Sequence, residues 1–319
     1  MLVDPGGRND YYQTKLVEKC ALQISTECFF HLLLKAFIAC LSLTKNTLTD
    51  PKLKSPMYFF LCHLSFVDMV YTTTTIPKML AGFLSDVSVI SVPGCFLQLF
   101  CFHQQTITGH LILTAMAYDR YVAICHPLHY TSIMTRSVQL HLIAGVWGFS
   151  TIWPLPSTII AILRPYCGPN VVKHGWCDMH SVRRLVCADI SVDNIAALFF
   201  ATVSLLIPGL LILTSYVLIG ISILRMGAGQ RLKAFRTCAA HLTVVSISFT
   251  SSVLFPTKSS FGFFQVRIIV AVLYAALTPF LNPVIYSLRN KELQESIRRT
   301  LVGFRSATVS ATKNVSTVS

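Results

Sequence analysis

The stretch Met116-Ala117-Tyr118-Asp119-Arg120-Tyr121-Val122-Ala123-Ile124-Cys125 ends a long apolar run on an acid–base pair. A segment such as Leu111 to Ala117 sits comfortably in lipid, whereas Asp119 and Arg120 do so only at high cost. The pair therefore marks a membrane–water boundary at the end of a spanning helix. Taken alone, Asp-Arg is an ordinary solvated helix end. Its meaning depends on the chain around it.

The composition supports the membrane reading. Of 319 residues 53% are hydrophobic and 12% charged, about half the charge of an ordinary soluble domain. The net charge of +13 is spread in short basic clusters between apolar runs, which fits membrane topology better than a nucleic-acid groove. Residues 1–19 hold acids, Gly and Tyr where a cleavable signal peptide needs an apolar core, so they are expected to form a loose tail.

Six apolar segments at 57–81, 95–118, 138–162, 195–224, 237–257 and 266–288 each approach the ~20 residues that a bilayer requires. A seventh, from about Cys20 to Thr44, precedes them and is atypical. It contains Phe29 to Leu34 but is interrupted by Glu27, His31 and Lys35, and each charge near mid-membrane costs about 2.5–3.5 kcal/mol. Counting it first, the expected fold is an all-α membrane protein, a seven-transmembrane helix bundle. Its domain is expected over 20–289. A short amphipathic helix follows at 290–304, with Leu293, Ile297 and Leu301 on one side and Lys291, Arg298 and Arg299 opposite. Residues 305–319 form a Ser/Thr/Val-rich tail.

The basic residues orient the bundle. One side collects fifteen, including Lys45, Lys52, Arg120, Arg136, Arg225, Arg231, Lys233, Arg236 and Arg289, against four acids. The other side has nine against seven. The positive-inside rule places the first side, with Arg120 and the carboxyl terminus, in the cytoplasm and the amino terminus outside. Cys95, Cys167, Cys177 and Cys187 then lie outside the cell, where disulfides form. Zinc is the competing use, but the even ten-residue spacing in the loop is no ligand pattern. Cys62, Cys101 and Cys238 fall within spans as packing residues. The sequon Asn314-Val315-Ser316 lies on the cytosolic side, where it would not be glycosylated.

Asp119-Arg120-Tyr121 at the inner end of span three, with Asn282-Pro283-Val284-Ile285-Tyr286 at that of span seven, resembles the rhodopsin-like G-protein-coupled receptors. The narrower resemblance is to the olfactory receptors. It is carried by Pro56-Met57-Tyr58-Phe59-Phe60-Leu61, Leu64-Ser65-Phe66-Val67-Asp68, Pro77-Lys78-Met79-Leu80 and Met116 to Leu128. Further carriers are Ser215-Tyr216, Lys233 to Leu242 and Pro279 to Asn290. It spans about Asp50 to Leu301 and fades upstream.

The resemblance implies a plasma-membrane receptor for small volatile odorants that activates a stimulatory olfactory-type G protein and raises cAMP. Coupling and activation would fall to Asp119, Arg120, Tyr121, Tyr216, Lys233, Arg236, Asn282, Pro283 and Tyr286. It pairs Cys95 with Cys177 and Cys167 with Cys187. The position of Asp68 implies a buried polar site shared with Asn282; the acid usual in span three is replaced by Gly109, so a water-filled site is expected rather than a cation. A ligand pocket of mostly apolar character would be lined by Phe102, His103, Thr106 and Ile107 of span three. Phe200, Thr202 and Ser204 of span five and Phe249, Ser252 and Val253 of span six would complete it. Each of these also has a plain packing role, and His103 and Thr106 would favour oxygenated odorants.

Two departures stand out. The family's Phe-Tyr-Gly in span six reads Ser248-Phe249-Thr250, and the Gly-Asn signature of span one is absent. A receptor-derived protein that no longer signals, because its first span is defective, is therefore the main alternative. A transporter or channel is a weaker one: no internal repeat is visible, and Asp68 is the one firm mid-span acid. No enzyme is expected, since Gly227-Ala228-Gly229-Gln230-Arg231 lacks the Gly-Lys-Ser/Thr ending of a phosphate loop. No cofactor, metal or nucleic acid is expected; the partners are odorant, G protein and lipid.

Overall fold

The computed structural model describes residues 55–84, 89–167, 171–172 and 176–254. The first and seventh spans and the helix expected at 290–304 lie outside them. The described chain is helical, with a single isolated bridge between Tyr166 and Val186.

Span two is the helix Pro56–Leu84. It starts on a proline, whose missing N–H costs nothing in the first turn, and Ser55 O accepts from Tyr58 N at 3.0 Å. Thr72, Thr73, Thr74 and Thr75 each donate a hydroxyl to the carbonyl four residues earlier, at 2.7–2.9 Å. That internal bonding satisfies four hydroxyls where lipid offers no partner.

Span three, Val92–Cys125, is the centre of the bundle. Ser91 caps it by accepting from Gly94 N, and Pro127 just past its end prevents continuation. Its 34 residues make it about 50 Å long, well beyond the ~30 Å hydrocarbon layer. Gln98, Gln105, Thr108, His110 and Asp119 are buried along it. Such polar residues survive in a spanning helix only when other helices surround them. Among the described residues, three helical stretches are long and apolar enough to cross a membrane by composition alone, namely Pro56–Lys78, Arg136–Leu163 and Ser191–Leu224. Span three is not among them because Gln98, Gln105, His110 and its other polar residues lower its hydropathy; their burial among other helices is what allows them there.

Span four departs from the single helix expected at 138–162. It is two helices, Arg136–Ile152 and Leu155–Leu163, joined at Trp153-Pro154. Pro154 has no N–H to donate back, so the ladder breaks there. Thr135 caps the first helix through Val138 N, and Pro154 O accepts from Thr158 N at 3.1 Å to start the second.

Span five is Ser191–Leu224 and span six is Ala228–Leu254 as far as it is described. Span six begins nine residues before the expected 237, because helix geometry carries on past the point where the chain stops being apolar. Arg231 braces the junction, its Nη2 donating to the carbonyls of Leu224 and Met226 at 3.1 and 3.2 Å.

The main core joins Phe60, Leu61 and Leu64 of span two to Ile112, Leu113 and Met116 of span three. Ile143 and Val146 of span four, Ile212 of span five and Val244 of span six close round it. Spans three and four are also stitched by Thr108 Oγ1 to Ser150 Oγ at 2.8 Å and Gln104 Nε2 to Thr151 Oγ1 at 3.2 Å. Polar side chains of this kind bind spanning helices together where no hydrophobic force can.

Candidate functional site

Three polar groupings lie along span three, one at each end and one near its middle. At the Arg120 end, Asp119 is fully buried and Arg120 nearly so, with 13% of its side chain exposed. Arg120 Nε and Nη2 both donate to Asp119 Oδ2, at 3.1 and 2.5 Å. Tyr130, from the short helix Tyr130–Ile133, donates to the other oxygen, Oδ1, at 2.7 Å. The carboxylate is therefore engaged on both oxygens, and Arg120 is held in a geometry favourable to a charged pair. Burial, then the neighbouring carboxylate, push the Tyr130 phenol well above its ordinary pKa, so it stays a donor at any physiological pH; Ser55 is hydrogen-bonded to it in turn.

Beside this cluster the Tyr216 hydroxyl meets Nδ1 of buried His241 at 2.7 Å with the two rings stacked, linking spans five and six. Tyr121 turns to His126 instead, at 3.2 Å. Lys233 and Arg236 lie within the first turns of span six. Asn282, Pro283 and Tyr286 fall outside the described residues, so the expected link between Asp68 and Asn282 does too. Asp68 itself is buried on span two.

At the opposite end, Cys95 is bonded to Cys177 and Cys167 to Cys187. The loop that carries Cys177 is seated by a buried glutamine. Gln98 Oε1 accepts from Cys177 N at 2.9 Å while its Nε2 donates to Thr74 O at 2.7 Å. One side chain thus joins the loop to spans two and three. Removing it leaves the buried Cys177 N–H without that acceptor, a loss worth about 1–3 kcal/mol. Gln98→Ala is expected to lower the stability of the purified protein by about 2 kcal/mol, measured as a fall in Tm with both disulfides intact. Farther along the loop Asp178 caps the turn Met179–Arg183. Arg164 grips Asp193 with a two-pronged pair, Nε to Oδ2 at 2.7 Å and Nη2 to Oδ1 at 2.5 Å, which pushes the guanidinium pKa up and ties span four to span five.

The expected ligand residues lie between this end and the middle of span three. Phe102 is buried, its ring near those of Tyr71 and Trp176 at 5.4 and 5.6 Å, and Ile107 is buried as well. His103 Nδ1 is 2.9 Å from Leu99 O and Thr106 Oγ1 donates to Phe102 O at 2.8 Å, so both spend a polar atom within their own helix. Phe200 packs on Trp153, whose Nε1 donates to the Phe200 carbonyl at 3.1 Å. Ser204 shares the Phe200 face and gives its hydroxyl to Ala201 O at 3.0 Å. Thr202 is a correction: it is exposed on the outer side of span five. Two residues are 200° apart on a helix, so Thr202 cannot share a face with Phe200 or Ser204. The side chain of Val253 lies outside the described residues.

Near the middle is a grouping that the expected set only touches. His110, buried, presents Nε2 to Ser252 Oγ at 3.2 Å, across 142 positions of sequence. Its ring lies 4.6 Å from that of Phe249, centroid to centroid. Gly209 of span five also abuts Phe249: an added Cβ there would come within 3.3 Å of the Phe249 ring. His110 and Gly209 were not among the expected site residues. The signal for His110 was present as a histidine amid Leu and Ile at mid-span, which is costly unless it is used.

A model of the olfactory receptor family matches residues 28–303. The chain belongs to the olfactory receptor family. It is 44% identical to human olfactory receptor 6N1 over 256 residues, covering 79% of this chain and 81% of that protein. Mouse olfactory receptor 5G25 is 42% identical, with 79% and 80% covered, and human olfactory receptor 13C2 is 40% identical, with 80% and 83% covered. The family match begins upstream of Asp50, so the resemblance reaches into the atypical first span that the motifs alone had left out. An olfactory receptor is a multi-pass membrane receptor of the G-protein-coupled class.

Proposed function

We propose that this olfactory receptor binds small, mostly apolar volatile molecules within the bundle, among spans three, five and six, and activates a stimulatory olfactory-type G protein to raise cAMP. The Arg120 end and the carboxyl terminus face the cytoplasm and the amino terminus lies outside the cell. The single observation that carries this reading is the closed Asp119–Arg120–Tyr130 cluster on the strongly basic side of the bundle. Arginine keeps its charge under all conditions, so its position is switched by exchanging partners. With Asp119 loaded on both oxygens, Arg120 is held in the resting arrangement. An agonist that binds the opened bundle better than the closed one shifts the equilibrium by the difference in affinity. Tyr216, Lys233 and Arg236 then belong to the surface on which the G protein docks.

The test is a cell-surface and cAMP assay of the full chain against an odorant panel, beside a version carrying a standard olfactory first span. A dose-dependent cAMP rise from either supports the reading. Both proteins at the surface with no response to any odorant overturns it. The non-signalling alternative is favoured by Glu27 and Lys35 in the first span, and it is supported if only the version with the standard span reaches the surface.

A further inference from the structure

From Arg164 to the first turn of span five the chain has three acids, Asp178, Asp189 and Asp193. Each is committed. Asp178 Oδ2 accepts from His180 N and Ser181 N at 3.1 and 3.4 Å. Asp189 Oδ1 takes the amide and the hydroxyl of Ser191 at 2.9 and 2.6 Å. Asp193 is held on both oxygens by Arg164. Four bases share the stretch, Arg164, Lys173, Arg183 and Arg184. Arg184 is exposed to water, whereas Arg183 is half-buried.

Among the described residues no acceptor is hydrogen-bonded to the Arg183 guanidinium. Asp193 acts on it through its charge but gives its oxygens to Arg164. Burial pushes the Arg183 pKa down, against smaller opposite pulls from Asp193 and Tyr166, while the carboxylate-bonded Arg164 is pushed up. Arginine stays charged all the same. A half-buried cation without an ion pair therefore penalises the fold until something supplies the acceptor.

The surroundings say what shape that acceptor has. Arg183 ends the turn Met179–Arg183, and Val182 beside it packs with Leu99, Ala161, Cys177 and Met179. The charge of Arg183 also reaches His103 of span three, the neighbour of Phe102, whose ring meets Trp176 of the loop. A forked donor thus stands beside apolar groups at the Cys95 end of the bundle. Its fork matches the two oxygens of a carboxylate. Asp193 close by disfavours a second negative charge, so a monoanion is selected over a phosphate dianion.

We infer that Arg183 is the anchor for the carboxylate of a small ligand whose apolar body enters the bundle. This rests on the receptor reading and narrows its ligands to ionised short-chain carboxylic acids.

The test uses the purified full chain and reads binding from the ligand-dependent rise in Tm. The probes are butanoate, hexanoate and octanoate, each beside its alcohol and its methyl ester. The acids are expected to bind more tightly than either neutral partner. Arg183→Gln should weaken the best acid about thirty-fold, the factor given by a hydrogen bond to a charged group, and leave the alcohols unchanged. Arg183→Lys keeps the charge without the fork and should fall between. Arg184→Gln, at the exposed neighbour, should bind as the wild type does. The unliganded Arg183→Gln chain should melt no lower than the wild type, with the Cys95–Cys177 bond intact as the control for folding. Acids that bind no better than their alcohols or esters overturn the anchor, as does equal weakening by Arg183→Gln and Arg184→Gln. An unliganded Arg183→Gln chain that melts lower shows a partner for the guanidinium within the chain and overturns it too. The same probes are applied to cells in the cAMP assay. Acid binding with the expected variant pattern and no cAMP sinks the signalling reading alone. A cAMP response to alcohols or esters but to no acid sinks the anchor alone.

Discussion

Replacing Asp119 with alanine is expected to cost the receptor its resting state. Arg120 loses both of its acceptor contacts at once and Tyr130 loses its own acceptor. The guanidinium remains nearly enclosed, and a buried charge stripped of its partner costs about 3–5 kcal/mol. That cost falls only on the closed arrangement, because an opened bundle lets Arg120 reach water. Two results follow together: the amount of receptor at the cell surface falls, and the receptor that does arrive shows raised nucleotide exchange without odorant. Asp119→Asn should be milder, since the amide oxygen still accepts from Tyr130. Tyr130→Phe should be milder still, because it removes one neutral donor and leaves the ion pair. Equal surface levels and equal basal exchange for Asp119→Ala and the wild type would contradict this account of the cluster.

The second large effect is expected from Cys177→Ser. Cys95 and Cys177 are 82 positions apart, and Cys167 and Cys187 only 20. Loop closure then assigns about 4.5 kcal/mol to the first bond and about 3.3 kcal/mol to the second on the chain-entropy model. The difference widens because Cys177 is also where Gln98 anchors the loop through a backbone N–H. Without the covalent bond that hydrogen bond has to hold the loop by itself. Surface biotinylation should therefore show almost no Cys177→Ser or Cys95→Ser receptor, and a reduced but measurable amount of Cys167→Ser. A Cys167→Ser receptor lost as completely as Cys177→Ser would show that loop length does not rank the two bonds.

Much of the scaffold was legible because lipid imposes a simple rule. Apolar runs marked spans two, four and five to within four residues, whereas span three carries its helix seven residues past the expected end, through Asp119-Arg120 to Cys125. The break at Trp153-Pro154 was less legible, since a proline in a packed bundle is tolerated with or without a kink. The early start of span six was missed for a related reason: hydropathy reports where lipid ends, while Arg231, Lys233 and Arg236 continue the helix into water. Helix faces were the hardest to read. In water one apolar stripe identifies the core side, but on span five Leu206, Leu210 and Leu213 are exposed and as apolar as buried Ile212. Thr202 was misplaced for that reason. The meeting of His110 with Ser252 lacks any local signature, as it depends on which faces of two distant helices are brought together.

Span five also ties the molecule to its surroundings. Among the described residues only a small share of its length is buried, at points such as Asp193, Pro208, Ile212 and Ile219. Its exposed remainder is apolar and suited to packing against acyl chains. A 34-residue helix of about 50 Å is longer than the hydrocarbon layer, and each Å of mismatch costs a fraction of a kcal/mol that tilting can relieve. Because span five carries both Gly209, which seats Phe249, and Tyr216, which meets His241, its tilt bears on two of the three polar groupings at once. The thickness of the surrounding bilayer is thus a variable of the receptor's resting equilibrium, set by the cell's lipids before any odorant arrives.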